Sequence, residues 1–264
     1  MSATDPLTPS LLPECAAVIV GGGSGSRFGG DKLTIPVAGR PLLAWSLRAF
    51  EQIPAVTSIV VVAPAGREEA FLEIARDAGI TKLTAVITGG SHRHESVSRG
   101  LRALPPSVEL VAIHDAARPM VTADFITRCL MMAVESGASA AAVPVTDTLH
   151  QADQEGCAAR TVNRVGLWAM QTPQVFRVAP LKKLLEEDPP GKPTDEVSVV
   201  LAAGWRVPFV ESLQPNLKVT WPADFAVAEA LLKAREEHEA PVARSEHDAP
   251  SVRAENKSPV SLQS

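Results

Sequence analysis

The chain has 264 residues, 45% of them hydrophobic, and a formal net charge of −5. That apolar share supports a sizeable core, and α/β folds of this length often form one domain around a single sheet. The acidic balance argues against a nucleic-acid footprint, which shows as a basic excess, so any anion site has to be local.

Residues 1–14 lack the basic start and apolar run of a signal peptide and are expected to be disordered. AAVIVG at 16–21 reads as a buried strand, and VGGGSGSRFGGDK follows it directly. Glycines at such a place let backbone N–H groups approach phosphate oxygens, and Arg27 and Lys32 add fixed positive charge. A flexible turn with two solvated cations is the plain alternative. No G-x-G-x-x-G fits residues 21–30, and Asp31 stands where a P-loop needs lysine, so the loop is of another kind.

Helical periodicity then predicts helices at 41–52, 67–78, 94–104 and 123–136, alternating with apolar strands at 58–64, 83–88, 109–115 and 140–145. This alternation implies parallel βαβ units and a three-layer α/β sandwich with a mostly parallel, Rossmann-like sheet. Residues 146–170 read as two short polar strands around a turn, too poor in apolar residues to form a core layer, and are expected to project as an arm. Helical character returns in LKKLLEEDPP, TDEVSVVLAAG and WPADFAVAEALLKAREEHE. The folded domain is thus expected at 15–238, and 239–264, rich in Pro, Ser, Arg and Glu without periodicity, as a disordered tail. Cys15, Cys129 and Cys157 form no C-x-x-C pair, which fits a reducing cytoplasm, and no stretch approaches the ~20 apolar residues of a membrane span.

The glycine loop, the segment VAGRPLLAWSL, and then GGSHRHESVSRGL (89–101), HDAARP (114–119), PVTDT (144–148), TVNR (161–164), QTPQ (171–174), TDE (194–196) and NLKVT (216–220) stand in one order along the chain. Over about residues 15–238 that order resembles the 2-C-methyl-D-erythritol 4-phosphate cytidylyltransferase family of non-mevalonate isoprenoid synthesis. The resemblance implies a nucleotidyltransferase that couples CTP to a polyol phosphate with Mg²⁺ or another divalent cation and releases pyrophosphate. It further implies a homodimer joined through the arm.

By the same resemblance Arg27, Lys32 and Lys218 act on the phosphates. Gly22, Gly23, Gly25, Gly89, Gly90 and Ser96 bind CTP. Arg118, Thr148, Arg164 and Thr172 bind the acceptor, and Asp115 is the metal carboxylate. Helix capping is the alternative for Ser91 or Ser96 and for Asp115. His114 reads as a structural residue that places Asp115, and Asp195 and Glu196 as residues shaping the pocket. The sequence departs from the family pattern in three places: Asp31 precedes Lys32 where proline is usual and the Arg27–Lys32 interval is short, His150 replaces a lysine, and Ser26 occupies a position often basic. A ribitol 5-phosphate cytidylyltransferase and a non-catalytic nucleotide-binding module remain the rival readings.

Overall fold

A computed structural model describes residues 12–22, 31–187 and 193–239. Most of the glycine loop, with Gly23, Gly25 and Arg27, lies outside the described residues, as do the start of the chain and the residues after 239.

Five strands come from the predicted apolar runs: β1 (Cys15–Val20), β4 (Val56–Ala63), β5 (Leu83–Thr88), β6 (Leu110–Asp115) and β7 (Ala138–Pro144). They are joined by α1 (Leu42–Glu51), α2 (Glu68–Asp77), α3 (Arg93–Arg102) and α4 (Ala123–Ser136). α4 matches its expected span because both ends carry a signal. Thr122 accepts from Phe125 N at the N-cap, and Gly137 takes φ 82° at the C-cap. Between β1 and α1 lie a 3-10 turn (Lys32–Thr34) and a small hairpin of β2 (Pro36–Val37) and β3 (Arg40–Pro41). The hairpin was not expected. It turns on Ala38 and Gly39, both at positive φ.

The arm consists of β8 (Leu149–Ala152) and β9 (Ala158–Val162), which among the described residues pair only with each other. At Trp168 the chain rejoins the central sheet as β10 (Trp168–Arg177). α5 (Val178–Glu186), α6 (Glu196–Ala202), β11 (Phe209–Glu211) and α7 (Pro222–Glu239) complete the order.

The seven-stranded sheet runs β11-β7-β10-β6-β1-β4-β5. β1 is parallel to both β4 and β6, whereas β10 is antiparallel to β6 and β7. The period of two along a strand divides β1 between two cores. Ala17 and Ile19 belong to the core that includes residues of α1, α2, α4 and α7, and Val18 and Val20 to the one that includes residues of α3, α5 and α6.

Because β1, β4, β5, β6 and β7 point the same way, the segments after Val20, Ala63, Thr88, Asp115 and Pro144 emerge along one edge of the sheet. β10, running the opposite way, starts at that edge. Its register with β7 breaks between Met170 and Gln174, which frees Gln171 and Thr172 from that ladder beside the end of β6.

Candidate active site

Asp115 closes β6, and its carboxylate lies among three cations. Lys218 Nζ donates to Oδ2 at 2.8 Å, Arg93 Nη2 lies 3.5 Å from Oδ1, and Arg118 Nε lies 3.6 Å from Oδ2. Burial alone would raise the pKa of this carboxyl, but Lys218, Arg93 and Arg118 outweigh it and hold the group well below the ordinary carboxylate range. Asp115 is therefore a fixed anion at the edge where open α/β sheets bind ligands. It does not cap the following helix, whose N-cap is Thr122.

His114, fully buried, holds the backbone around this anion. Its Nε2 meets the Arg118 carbonyl at 3.2 Å and its Nδ1 the Thr172 hydroxyl at 3.1 Å. A carbonyl only accepts, so Nε2 carries the proton and Nδ1 accepts from Thr172. Thr172 Oγ1 in turn accepts from Asp115 N at 3.0 Å. Burial pushes the His114 imidazole down to about 4, with Arg118 acting the same way and Asp115 opposing, so the ring is neutral at pH 7. The structural reading of His114 fits these contacts.

The NLKVT segment is fastened beside HDAARP by Val219 N, which donates to the Ala117 carbonyl at 2.8 Å. Arg118 Nη1 donates to the Asn216 carbonyl at 2.8 Å, and Asn216 Nδ2 donates to Thr172 O at 2.8 Å and Gln171 Oε1 at 3.0 Å. Lys32 Nζ reaches the Val219 carbonyl at 2.7 Å, one residue from Lys218. Five expected site residues, Lys32, Asp115, Arg118, Thr172 and Lys218, thus converge within one bonded network.

A second group forms where the segments after β1 and β5 meet. Ser96 Oγ accepts from Gly90 N at 3.0 Å and donates to the His92 carbonyl at 3.1 Å. It lies inside α3, whose N-cap is His92, so neither Ser96 nor Ser91 is the helix cap. A Cβ on Gly89 would come 2.9 Å from Ser96 Oγ, and one on Gly22 would come 3.4 Å from it, so Gly22, Gly89, Gly90 and Ser96 share one cradle. At Gly89 that approach is too close for a Cβ unless the Ser96 hydroxyl moves.

Thr148 and Arg164 share no hydrogen bond with either group among the described residues. They are exposed on the arm, and Arg164 Nη1 donates to the carbonyl of Thr146 in its own chain.

Two residues of the network were not expected. Arg93 donates through Nη1 to Glu196 Oε1 at 2.6 Å and also to Oε2, and Glu196 is 1% exposed. Burial is the main influence on both groups. Nevertheless the nearby carboxylates of Glu196 and Asp115 hold Arg93 firmly cationic, while burial raises the Glu196 carboxyl against the opposing effect of Arg93. Asn216 is the other. Next to Glu196, Asp195 caps α6 through Ser198 N and accepts from Gln174 Nε2 at 2.9 Å, tying α6 to β10.

Among the described residues no three His, Cys, Asp or Glu side chains form a metal cluster. Asp115 supplies a single carboxylate, a donor set that suits Mg²⁺, which commonly takes one or two carboxylates together with phosphate oxygens. No described helix is long and apolar enough to cross a membrane.

The profile of the family described as 2-C-methyl-D-erythritol 4-phosphate cytidylyltransferase matches residues 15–234. The protein of that name from Prochlorococcus marinus (strain MIT 9313) is 42% identical over 222 residues, which is 83% of this chain and 98% of the relative. That from Pelotomaculum thermopropionicum is 38% identical over 230 residues, covering 85% and 97%. The crystal structure of the namesake from Thermus thermophilus superposes with a TM-score of 0.67 at 31% identity, covering 83% and 98%.

Proposed function

The chain belongs to the 2-C-methyl-D-erythritol 4-phosphate cytidylyltransferase family, and from that premise we propose that it transfers the cytidylyl group of CTP to 2-C-methyl-D-erythritol 4-phosphate. The observation that carries the reading is the NLKVT segment, where Lys218 pairs with the Asp115 anion and Lys32 bonds the carbonyl of the next residue, Val219, together with the glycine–serine cradle of residues 22, 89, 90 and 96.

The acceptor phosphate attacks the α-phosphorus in line, one P–O bond forms, and the bond to pyrophosphate breaks. A phosphate monoester, with its second pKa near ~6, is already mostly dianionic at neutral pH. No general base is required, and the neutral, enclosed His114 has no such task. The chain's work is positioning and charge compensation. Gly22, Gly89, Gly90 and Ser96 hold the cytidine side, with Gly23, Gly25 and Arg27 of the loop on the phosphates. Lys32 and Lys218 stabilise the charge that gathers around the α-phosphorus. Arg118 and Thr172, fixed by Asn216 and His114, hold the acceptor, and Thr148 and Arg164 of the arm complete that side from a second subunit of a homodimer.

Asp115 would hold Mg²⁺, which when bound neutralises phosphate charge. The medium we assign is the cytoplasm, where CTP and the metal are at hand.

The test is pyrophosphate release with CTP and Mg²⁺ across a panel of polyol phosphates. Turnover highest with 2-C-methyl-D-erythritol 4-phosphate is expected. A preference for ribitol 5-phosphate would reassign the acceptor, and absence of turnover with every polyol would leave a binding module.

A further inference from the structure

The turn that carries Lys32 is capped by an aspartate, and that aspartate is neutralised from a different part of the sheet. Asp31, in extended backbone at φ −81° and ψ 91°, accepts from Leu33 N through Oδ1 at 3.1 Å. Thr34 Oγ1 closes the turn by donating to the Asp31 carbonyl at 3.2 Å. The turn lies at the mouth of the glycine loop, since a Cβ on Gly21 would come 3.1 Å from Leu33 Cδ1 and 2.7 Å from Phe71 Cε2 of α2.

Arg67 arrives from the end of β4. The chain turns there, with Arg67 N donating to the Pro64 carbonyl at 3.0 Å and Gly66 at φ 78°. The Arg67 guanidinium then pairs through Nη2 with Asp31 Oδ2 and reaches Thr34 Oγ1 at 3.5 Å. It therefore grips both ends of the turn.

A carboxylate beside a lysine that binds polyphosphate creates a conflict of charge. As a cap it fixes the turn, but as an anion it repels the ligand the lysine attracts. Asparagine would cap as well without the charge, so the aspartate is tolerable at this place only with a cation on its other oxygen. The pair is partly exposed, with side chains 41% and 21% accessible, so its effect on folding stability is small.

We propose that Arg67 is a positioning residue for nucleotide binding: it neutralises Asp31, so that the capped turn presents Lys32 to the triphosphate of CTP without an opposing charge. The inference rests on the cytidylyltransferase reading and extends it to a residue outside the glycine loop and the motifs that carry the resemblance.

The experiment measures CTP affinity by titration calorimetry in the presence of Mg²⁺, with melting temperatures in parallel, for the full chain and for Arg67→Met, Asp31→Asn and the double variant. Arg67→Met should weaken CTP binding roughly five- to tenfold, the effect of one uncompensated charge near a polyanion, and the loss should shrink at high salt. Asp31→Asn keeps the cap and should bind within about twofold of the parent. The double variant should regain most of the loss, a coupling that damaged packing does not produce. CTP affinity of Arg67→Met equal to the parent's, or a double variant no better than Arg67→Met, would overturn the inference while leaving the cytidylyltransferase reading in place. A parent chain that binds no CTP would overturn both together.

Discussion

Lys218 Nζ and Asp115 Oδ2 form a 2.8 Å ion pair that joins the NLKVT segment to the end of β6. The lysine side chain is 45% exposed and the aspartate 11%, so the pair faces outward through its cation. If Lys218 turns to a phosphate, Arg93 and Arg118 remain beside the aspartate, and the carboxylate stays ionised.

Replacing Lys218 or Lys32 by alanine should therefore reduce turnover far more than it alters folding. Loss of one preorganised charge at a phosphoryl transition state typically costs roughly 3–4 kcal/mol, or about a hundred- to a thousandfold in kcat. Steady-state kinetics with pyrophosphate detection would show it, with KM for the acceptor little changed. Rates within a few-fold of the parent in both variants would remove these lysines from the mechanism.

The Arg93–Glu196 pair should behave in the opposite way. Glu196 is almost fully buried, so Glu196→Ala removes the closer carboxylate partner of Arg93 and leaves it the longer contact with Asp115, at a cost of about 3 kcal/mol. Replacing both by apolar residues of similar volume should recover much of that loss. Urea unfolding of the two variants would decide. A double variant no more stable than Glu196→Ala would mean that the pair contributes more than charge cancellation.

The outline of the fold was legible because β1, β4, β5, β6 and β7 are apolar runs separated by helices of clear period. β10 was not, for a physical reason. WAMQTPQVFR carries a proline and buried polar side chains that are apt for a strand only once partners from elsewhere satisfy them. Thr172 bonds His114, Gln174 bonds Asp195 and Val197, and the Thr172 carbonyl accepts from Asn216. The same holds for Arg93, which at a helix start reads as a solvated cation. Its partners, Asp115 and Glu196, are distant in sequence and met only in the fold. The site residues that could be read ahead were those inside ordered motifs.

Acid should destabilise the protein first through His114. A group whose folded pKa lies below its ordinary value contributes stability that is whole above the ordinary value and is lost as pH falls toward the folded one. For His114 these limits are 6.5 and about 4, a difference worth roughly 3 kcal/mol. Asp115, also depressed, loses its contribution only below its ordinary 3.8, so the two windows scarcely overlap. Unfolding free energies measured between pH 7 and 4 should fall in the parent and flatten in His114→Gln, which starts from a lower value. An equal slope in both would assign the acid sensitivity elsewhere.

Gly89→Ala tests the cradle on the cytidine side. The new Cβ would sit 2.9 Å from Ser96 Oγ, which must rotate and release Gly90 N. KM for CTP should rise several-fold with kcat nearly kept, because binding of substrate and transition state weakens equally. A kcat defect at unchanged KM would place Gly89 closer to the reacting phosphorus than the proposal does.

The arm supplies the test of assembly. Among the described residues β8 and β9 pair only with each other, a two-stranded unit that is marginal by itself, and Val165 and Leu167 beside it are exposed. Arg164 is tied to its own Thr146 and among the described residues bonds no member of the Asp115 network, which favours delivery to a partner's acceptor site. Mixing equal amounts of Lys32→Ala, damaged in the catalytic face, with Arg164→Ala, damaged in the arm, then gives a clear arithmetic. If the arm acts across the dimer, each mixed dimer has one site with both lesions and one that is intact. About half of randomly assorted dimers are mixed, so about a quarter of parental activity should return. If Arg164 serves its own chain, every site in the mixed dimer carries one lesion and nothing is regained. Mixed dimers verified by differential tags and still inactive would overturn the assignment of Arg164 to the partner's site, with cytidylyl transfer at the Lys32–Lys218–Asp115 cluster unaffected.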